Sequence, residues 1–480
     1  MPDVSYTERK AAWFADRALR RHAGVFHLWA LGVGAVISGD FFGWNFGLIA
    51  GGFGGMIIAV VLMTILYIGL CFSVAELSAA LPHTGGAYSF ARASMGPWGG
   101  YITGLAENME YILTPATIVV GIGGYLGSIF GTASIYEPVW WLVCYAVFVV
   151  LNIWGVEMSF RVSAITTLCA LAVLIVFYAG ALPLLDLRRW ALDGDAFFSK
   201  GTSGIFAALP FALWLYLGIE QLPLAAEETR DPARDMPRGI LWALATLVVC
   251  SVLTPIFSAG IAPGSDAVGR SSEPLFLGFQ TIFGAGVGSR ALAMFAVTGL
   301  VASFHSILYA YGRQIYSLAR AGYFPEWLSG THGGRQTPHR ALIAGSVLGF
   351  AAAVAIRLSG PSGSVGATLL NMAVFGAVLA YVMQMAAFIL LRRNAPGLLR
   401  PYVSPLGTPG AAVAALLATV TLAALFLNPD YRIGVLGAAV WFVVGLLYFA
   451  LHARKRLILS PEEEFAVSLA DKPAKSEVSL

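Results

Sequence analysis

Five acids lie inside long apolar stretches of this chain: Asp40, Glu76, Glu107, Glu110 and Glu220. An unpaired carboxylate in hydrocarbon costs several kcal/mol, so each is a functional candidate by default. Glu107 and Glu110 stand three residues apart in Leu105-Ala106-Glu107-Asn108-Met109-Glu110-Tyr111, on one helix face with Thr114 and Thr117. At 1.5 Å per residue, Glu110 lies about 20 Å above the start of its stretch, close to mid-depth. Glu76 falls at the end of its stretch and reads as structural. No Lys occurs between Lys10 and Lys200, nor between Lys200 and Lys455, and no Arg is expected at mid-depth. The acids therefore lack a fixed cationic partner. Either they are protonated, which suits a proton relay, or a transported cation supplies the charge. The bland alternative is neutral acids that hydrogen-bond between helices.

Aromatic residues share this level: Phe41, Phe42, Trp44, Tyr111, Trp214, Tyr216 and Phe304. Trp and Tyr faces attract ammonium groups, and Trp44, Trp214 and Tyr216 adjoin polar interruptions. One interruption reads Ser38-Gly39-Asp40-Phe41-Phe42-Gly43-Trp44-Asn45 and the other Trp214-Leu215-Tyr216-Leu217-Gly218-Ile219-Glu220. Irregular backbone is tolerated in lipid only where it faces protein or a wet cavity. Paired interruptions in two halves of a chain are a sign of an inverted-repeat transporter with its site near the midplane, whereas Gly alone also serves helix packing. His305 is the one deep His; it reads first as a satisfied core residue and second as a proton shuttle. Cys71, Cys144, Cys169 and Cys250 sit in apolar runs without metal-ligand spacing, so they read as buried thiols, with no disulfide framework, metal site or cofactor expected.

The scaffold that must position these groups is a membrane bundle. Of 480 residues, 58% are hydrophobic and 11% charged, against about 25% charged in soluble domains. This excludes a soluble enzyme, a disordered chain and a nucleic-acid binder. About twelve stretches can span a bilayer: 24–48, 53–81, 98–129, 137–153, 161–184, 204–227, 239–262, 287–319, 339–357, 364–391, 410–427 and 432–453. The polar, basic segment 1–23 precedes them and does not read as a cleavable signal. A polar tail, 461–480, follows and is expected to be disordered. Most of the 29 Lys and Arg fall in alternate connections together with both ends of the chain. The positive-inside rule then puts both termini in the cytoplasm.

Two segments carry a family resemblance. Ala75-Glu76-Leu77-Ser78 with Pro82-His83-Thr84-Gly85-Gly86-Ala87-Tyr88 is one; Ala226-Glu227-Glu228-Thr229-Arg230-Asp231-Pro232 with Asp235-Met236-Pro237-Arg238 is the other. Together they resemble the amino acid–polyamine–organocation superfamily of secondary carriers over nearly the whole chain. The stretches around Asp40 and Glu110 are most similar to the bacterial ethanolamine permeases. The resemblance implies an all-α inner-membrane carrier with a five-plus-five inverted repeat, 24–184 against 203–391, broken first and sixth spans, and two added spans over 410–453. It implies alternating access around spans 1, 3, 6, 8 and 10. Relatives that carry amino acids receive the substrate carboxylate on small residues at the first break. Here the matching positions look like Gly43-Trp44-Asn45, where an indole argues for a substrate without a carboxylate. Some proton-coupled relatives carry a Lys in span 5; here that stretch is Thr167-Leu168-Cys169-Ala170-Leu171, so that relay is not carried over.

The expected substrate is a small amine, ethanolamine first, with protons as a candidate coupling ion. Glu110 and Asp40 are expected to pair with the ammonium, and Trp44, Trp214 and Tyr216 to enclose it. Asn45 and Thr114 would bond the hydroxyl, while Ser38, Gly39, Phe41, Tyr111, Gly218, Phe304, Ile307 and Asn371 complete the cavity. Asp40, Glu107, Glu220 and His305 are candidates for gating or proton coupling. Two rivals remain open: a cationic amino acid or polyamine exchanger, and a membrane-embedded enzyme acting on an amine head group.

Overall fold

The computed structural model describes residues 4–192, 197–284, 286–359, 365–427 and 431–471. In chain order its main elements are β1 (Tyr6–Thr7), α1 (Ala11–Ala15), α2 (Val25–Val36), α3 (Ser38–Phe41), α4 (Phe46–Ala80), α5 (Gly86–Phe130), α6 (Glu137–Ile153), α7 (Val156–Ala181) and α8 (Gly201–Trp214). A 3-10 segment, Ile219–Glu228, continues the sixth span. Then come α9 (Pro232–Ala259), α10 (Ser265–Arg270), α11 (Pro274–Phe283), α12 (Val287–Arg320), α13 (His339–Ser359), α14 (Val365–Asn394), α15 (Gly407–Leu427), α16 (Arg432–Leu451), β2 (Leu457–Ile458) and α17 (Pro461–Asp471).

Eleven of the described helices are long and apolar enough to cross a membrane. The first span is the shorter apolar stretch Val25–Phe41, because its run is broken before it gains full length. The architecture is all-α, apart from the two-residue strands β1 and β2, which pair in parallel. Helix ends follow ordinary local chemistry. Pro stands in the first turn of α6, α9 and α11, where its missing N–H costs nothing. The long α4 and α5 bend at Gly52 and Gly96.

Burial separates two kinds of span. The α5 and α12 spans are mostly enclosed, whereas α6, α13, α15 and α16 present broad apolar faces outward, with Leu142, Val347, Leu416 and Val444 exposed. Such a continuous apolar exterior suits lipid. The principal packing is α14 on α5, α8 on α4, α12 on α5, and α2 on α9 and α7.

The chain ends depart from the sequence reading. Residues 461–471 form α17 instead of a disordered tail; 472–480 lie outside the described residues. Glu462 and Glu463 are buried. Glu463 accepts from Arg92 Nε at 2.6 Å, Tyr6 at 2.9 Å and Tyr323 at 2.9 Å. Glu462 pairs with Arg320 and accepts from Ser317. The N-terminal segment is bound to the same face: β1 pairs with β2, and Arg9 and Trp13 both reach Glu326. The stretch 263–283, read from sequence as a connection, holds α10 and α11 on the opposite face.

Candidate functional site

Both expected breaks are present, and they touch. After α3 the chain becomes extended at Phe42, then Gly43 takes φ +97°, a conformation that side chains resist. After α8 the sixth span turns through residues 215–218, and Gly218 takes φ +108°. Trp214 Nε1 donates to Phe42 O at 2.9 Å, which ties one break to the other. Gly39 lies so close that a Cβ there would stand 2.6 Å from Trp214 O. Ile307 of α12 packs on Gly218.

Around this junction the chain's own carboxylates are gathered. Glu220 folds back so that both its oxygens accept from Gly218 N, at 3.0 and 3.1 Å. The Glu110 carboxyl from α5 reaches the Glu220 carboxyl, which Tyr381 of α14 also reaches. Tyr381 in turn is hydrogen-bonded to Tyr67 of α4 at 2.8 Å. Neither Glu110 oxygen receives a hydrogen bond from a protein donor, and one turn along the same face the Thr114 hydroxyl has no partner either. All of these groups are buried. Among the described residues no Lys or Arg pairs with Glu110 or Glu220. One turn before Glu110, Glu107 accepts from Gln314 at 2.6 Å and Tyr111 at 3.3 Å.

Several expected contacts lie elsewhere. Asn45 does not face Thr114: its Oδ1 accepts from Gly43 N, and its Nδ2 donates to Val268 O and Ser271 O at 2.9 Å each. Its amide is consumed in stapling the first break to α10. Tyr216 directs its hydroxyl to Thr64 and Ser251, and its ring stacks on Tyr67 with centroids 4.9 Å apart. Phe304 packs on Tyr145 and Phe148 of α6, and Asn371 abuts Gly434 of α16. Asp40 faces Thr254 of α9 at 2.7 Å, away from Glu110. Ser38 N donates to Ser303 Oγ, Phe41 packs against Gly299, and Trp44 is wholly buried. His305 is enclosed by Asn152 and Ser159, with ring contacts of 3.1 Å to each side chain. Glu76 is the exception among the acids, since Arg392 and Arg400 both pair with it. Cys169 is only half-buried, unlike the other three thiols.

Hydroxyls of α7 and α12 face α2 near Thr167. Thr167 donates to Ala30 O at 2.9 Å, Ser303 to Gly34 O at 2.7 Å, and Ser163 and Ser306 meet at 3.1 Å. These neutral bonds fasten α2 to α7 and α12.

Sequence reasoning missed the ion pairs beneath the site. Glu228 is fully buried and bonded to Arg313 Nη2 at 2.9 Å. Glu227 takes both Arg320 Nη groups, at 2.9 and 2.6 Å, and also accepts from Thr84 N. The two segments that carried the resemblance thus meet each other across this face. The spacing of Arg313 and Arg320, seven apart on one helix face, was the available signal.

With this geometry in view, similarity to known proteins is informative. Branched-chain amino acid permease BcaP of Bacillus subtilis (strain 168) is 27% identical over 465 residues, covering 93% of this chain and 96% of the relative. The methylthioribose transporter of the same organism is 23% identical over 475 residues, covering 94% and 98%. Cationic amino acid transporter 7, chloroplastic, of Arabidopsis thaliana is 23% identical over 402 residues, covering 78% and 65%. The amino acid permease family pattern matches residues 27–458. Two touching helix breaks, a buried carboxyl group at their junction and this full-length match together place the chain in the amino acid permease family of membrane transporters.

Proposed function

We propose that this protein carries a small organic amine without a carboxylate, ethanolamine foremost, by alternating access across a bacterial inner membrane with both termini in the cytoplasm. The observation that carries the reading is Glu220. The sixth-break N–H of Gly218, a donor able to receive a substrate carboxylate, is already occupied by the chain's own carboxylate. At the first break Gly43 N is likewise taken by Asn45 Oδ1, and Ser38 N by Ser303. An α-carboxylate arriving here would meet Glu220 and Glu110 in place of free donors. An ammonium group would meet two carboxyls and, one turn away, the unpartnered Thr114 hydroxyl for its alcohol end. Glu110 and Glu220 then bind the amine, Thr114 orients it, and Trp214 closes the junction. The relatives' names speak for amino acids and a thio-sugar, so the exclusion of a carboxylate is the point at issue.

A second reading is a carrier of cationic amino acids or diamines, supported by Glu107 as a further acid one turn from Glu110 and by the likeness to a cationic amino acid transporter. The test is uptake of labelled ethanolamine into proteoliposomes, with competition by putrescine, agmatine, arginine and leucine. Charged hydrogen bonds are worth about 1.5–3 kcal/mol, so Glu110→Gln should weaken apparent affinity about 10- to 150-fold. Unchanged affinity in that variant removes the ammonium assignment. Strong competition by leucine removes the exclusion of carboxylates.

A further inference from the structure

We infer that Asp40 is a proton-binding station of the transport cycle, set apart from the Glu110–Glu220 pair and built by α3, α7 and α9. The inference rests on the carrier reading above, in which the solute binds at that pair.

Asp40 is buried, and its two oxygens are unlike. Oδ1 accepts from Thr254 Oγ1 at 2.7 Å, and Oδ2 has no partner. Thr254 has a single hydroxyl proton, which this bond uses. The 2.7 Å contact between Thr254 and Tyr178 of α7 must then run from the Tyr178 hydroxyl to Thr254. Tyr178, Thr254 and Asp40 form a one-way donor chain ending on Oδ1, and Oδ2 is left as the atom that takes up a proton. The titratable groups facing Asp40 are Tyr178 on α7, Cys250 on α9 and Tyr216 on the sixth span. No Lys or Arg pairs with it among the described residues. One carboxylate and one hydroxyl make no cage for a metal cation, whereas they suffice for a proton.

The station is separate in space from the pair. Ala35 packs at Gly218, whose N–H holds Glu220. Asp40 is five residues beyond Ala35, a rise of about 7.5 Å and a rotation of about 140°. It lies toward the face where Asn45 is bonded to Val268 and Ser271, so that face is the side of proton entry. It is also coupled to the site: two residues on, Phe42 O receives Trp214 Nε1. With the proton on Oδ2 the nest is neutral and α3 can stay seated on α9. When the proton leaves, a carboxylate with one donor remains in an apolar interior, a state that is costly unless α3 shifts toward water or new donors. Movement of α3 pulls on the junction of the two breaks. The proton is taken from water on one side and returned to water on the other, with no covalent change.

The test uses the full-length protein in liposomes and compares wild type, Asp40→Asn and Thr254→Val. Counterflow of labelled ethanolamine without a gradient reads solute handling; accumulation under an inward proton gradient reads coupling. Asp40→Asn should keep counterflow within about three-fold of wild type while losing the response to the gradient. Thr254→Val should keep counterflow and shift the pH midpoint of gradient-driven uptake. Gradient-driven accumulation by Asp40→Asn at the wild-type level overturns the inference. So does loss of counterflow in step with it, because Asp40 would then serve the solute or the fold. A Thr254→Val pH profile identical to wild type also overturns it. A third readout needs no substrate: dicyclohexylcarbodiimide, which attacks protonated buried carboxyls, should label Asp40 less as pH rises. If ethanolamine is not carried, the amine reading fails while this labelling still decides the station; no label on Asp40 at any pH overturns it.

Discussion

Replacing Glu462 by Gln should loosen the C-terminal helix, and the structure sets the size of the effect. Burial works against ionisation of Glu462, but Arg320 against it and His83 nearby hold its carboxyl down at about 2, from an ordinary 4.5. A difference of about 2.5 pH units corresponds to about 3 kcal/mol of docking energy as an upper bound. The amide retains the shape, and Arg320 keeps Glu227 at 2.6 Å, so the variant should lose roughly half of this, about 1–2 kcal/mol. The undocked population of α17 then rises about tenfold. Because the folded value lies below the unfolded one, the contribution is complete above pH 4.5. It is lost as pH falls from about 4.5 to about 2. Hydrogen exchange of 461–471, normalised for the intrinsic pH dependence, reads this directly. Faster exchange in Glu462→Gln at pH 7, and wild-type exchange that changes only below pH 4.5, are expected. Equal protection in both proteins at pH 7 would refute the argument that this ion pair seats the helix.

Other consequences follow from single contacts. Trp214→Phe removes the 2.9 Å bond to Phe42 O and should cost about 1 kcal/mol, seen as a lower Tm and slower counterflow at unchanged expression. Gly39→Ala puts a Cβ 2.6 Å from Trp214 O; transport should fall severely while insertion into membranes persists, and near-normal uptake would show that the two breaks separate freely. His305→Ala leaves Asn152 and Ser159 without their ring partner and should lower Tm by a margin worth about 2–3 kcal/mol, with the pH profile of uptake unmoved.

The carrier architecture was legible because the bilayer demands long apolar stretches, and deviations from that demand are conspicuous. Asp40, Glu110, Glu220, Gly43 and Gly218 stood out on those grounds. Direction was not legible. Asn45 and Tyr216 were assigned to a cavity by depth, but depth does not tell which way a side chain points around a helix. Asn45 turns to the backbone of α10, and Tyr216 to α4 and α9. The same limit hid the donors for Asp40, since Thr254 is an ordinary residue in an apolar run until α9 is packed against α3. Composition misled at the C-terminal end. Pro461-Glu462-Glu463-Glu464 reads as solvated, because nothing in that segment announces Arg92 and Arg320, which lie 371 and 142 residues away in sequence.

The parallel pairing of β1 with β2 also bears on the order in which the protein can be assembled. Tyr6 and Thr7 precede every described span, and their partners Leu457 and Ile458 follow them all. Until Leu457 and Ile458 emerge, β1 has no edge to join. Tyr6 has no Glu463 to bond, and Arg92 and Arg320 wait without two of their carboxylates. The bundle can insert span by span, but this face becomes satisfied only after the residues that follow α16 emerge. Before that step Arg92 has no carboxylate and Arg320 has Glu227 alone, so the charges on this face of the bundle are balanced only once α17 docks.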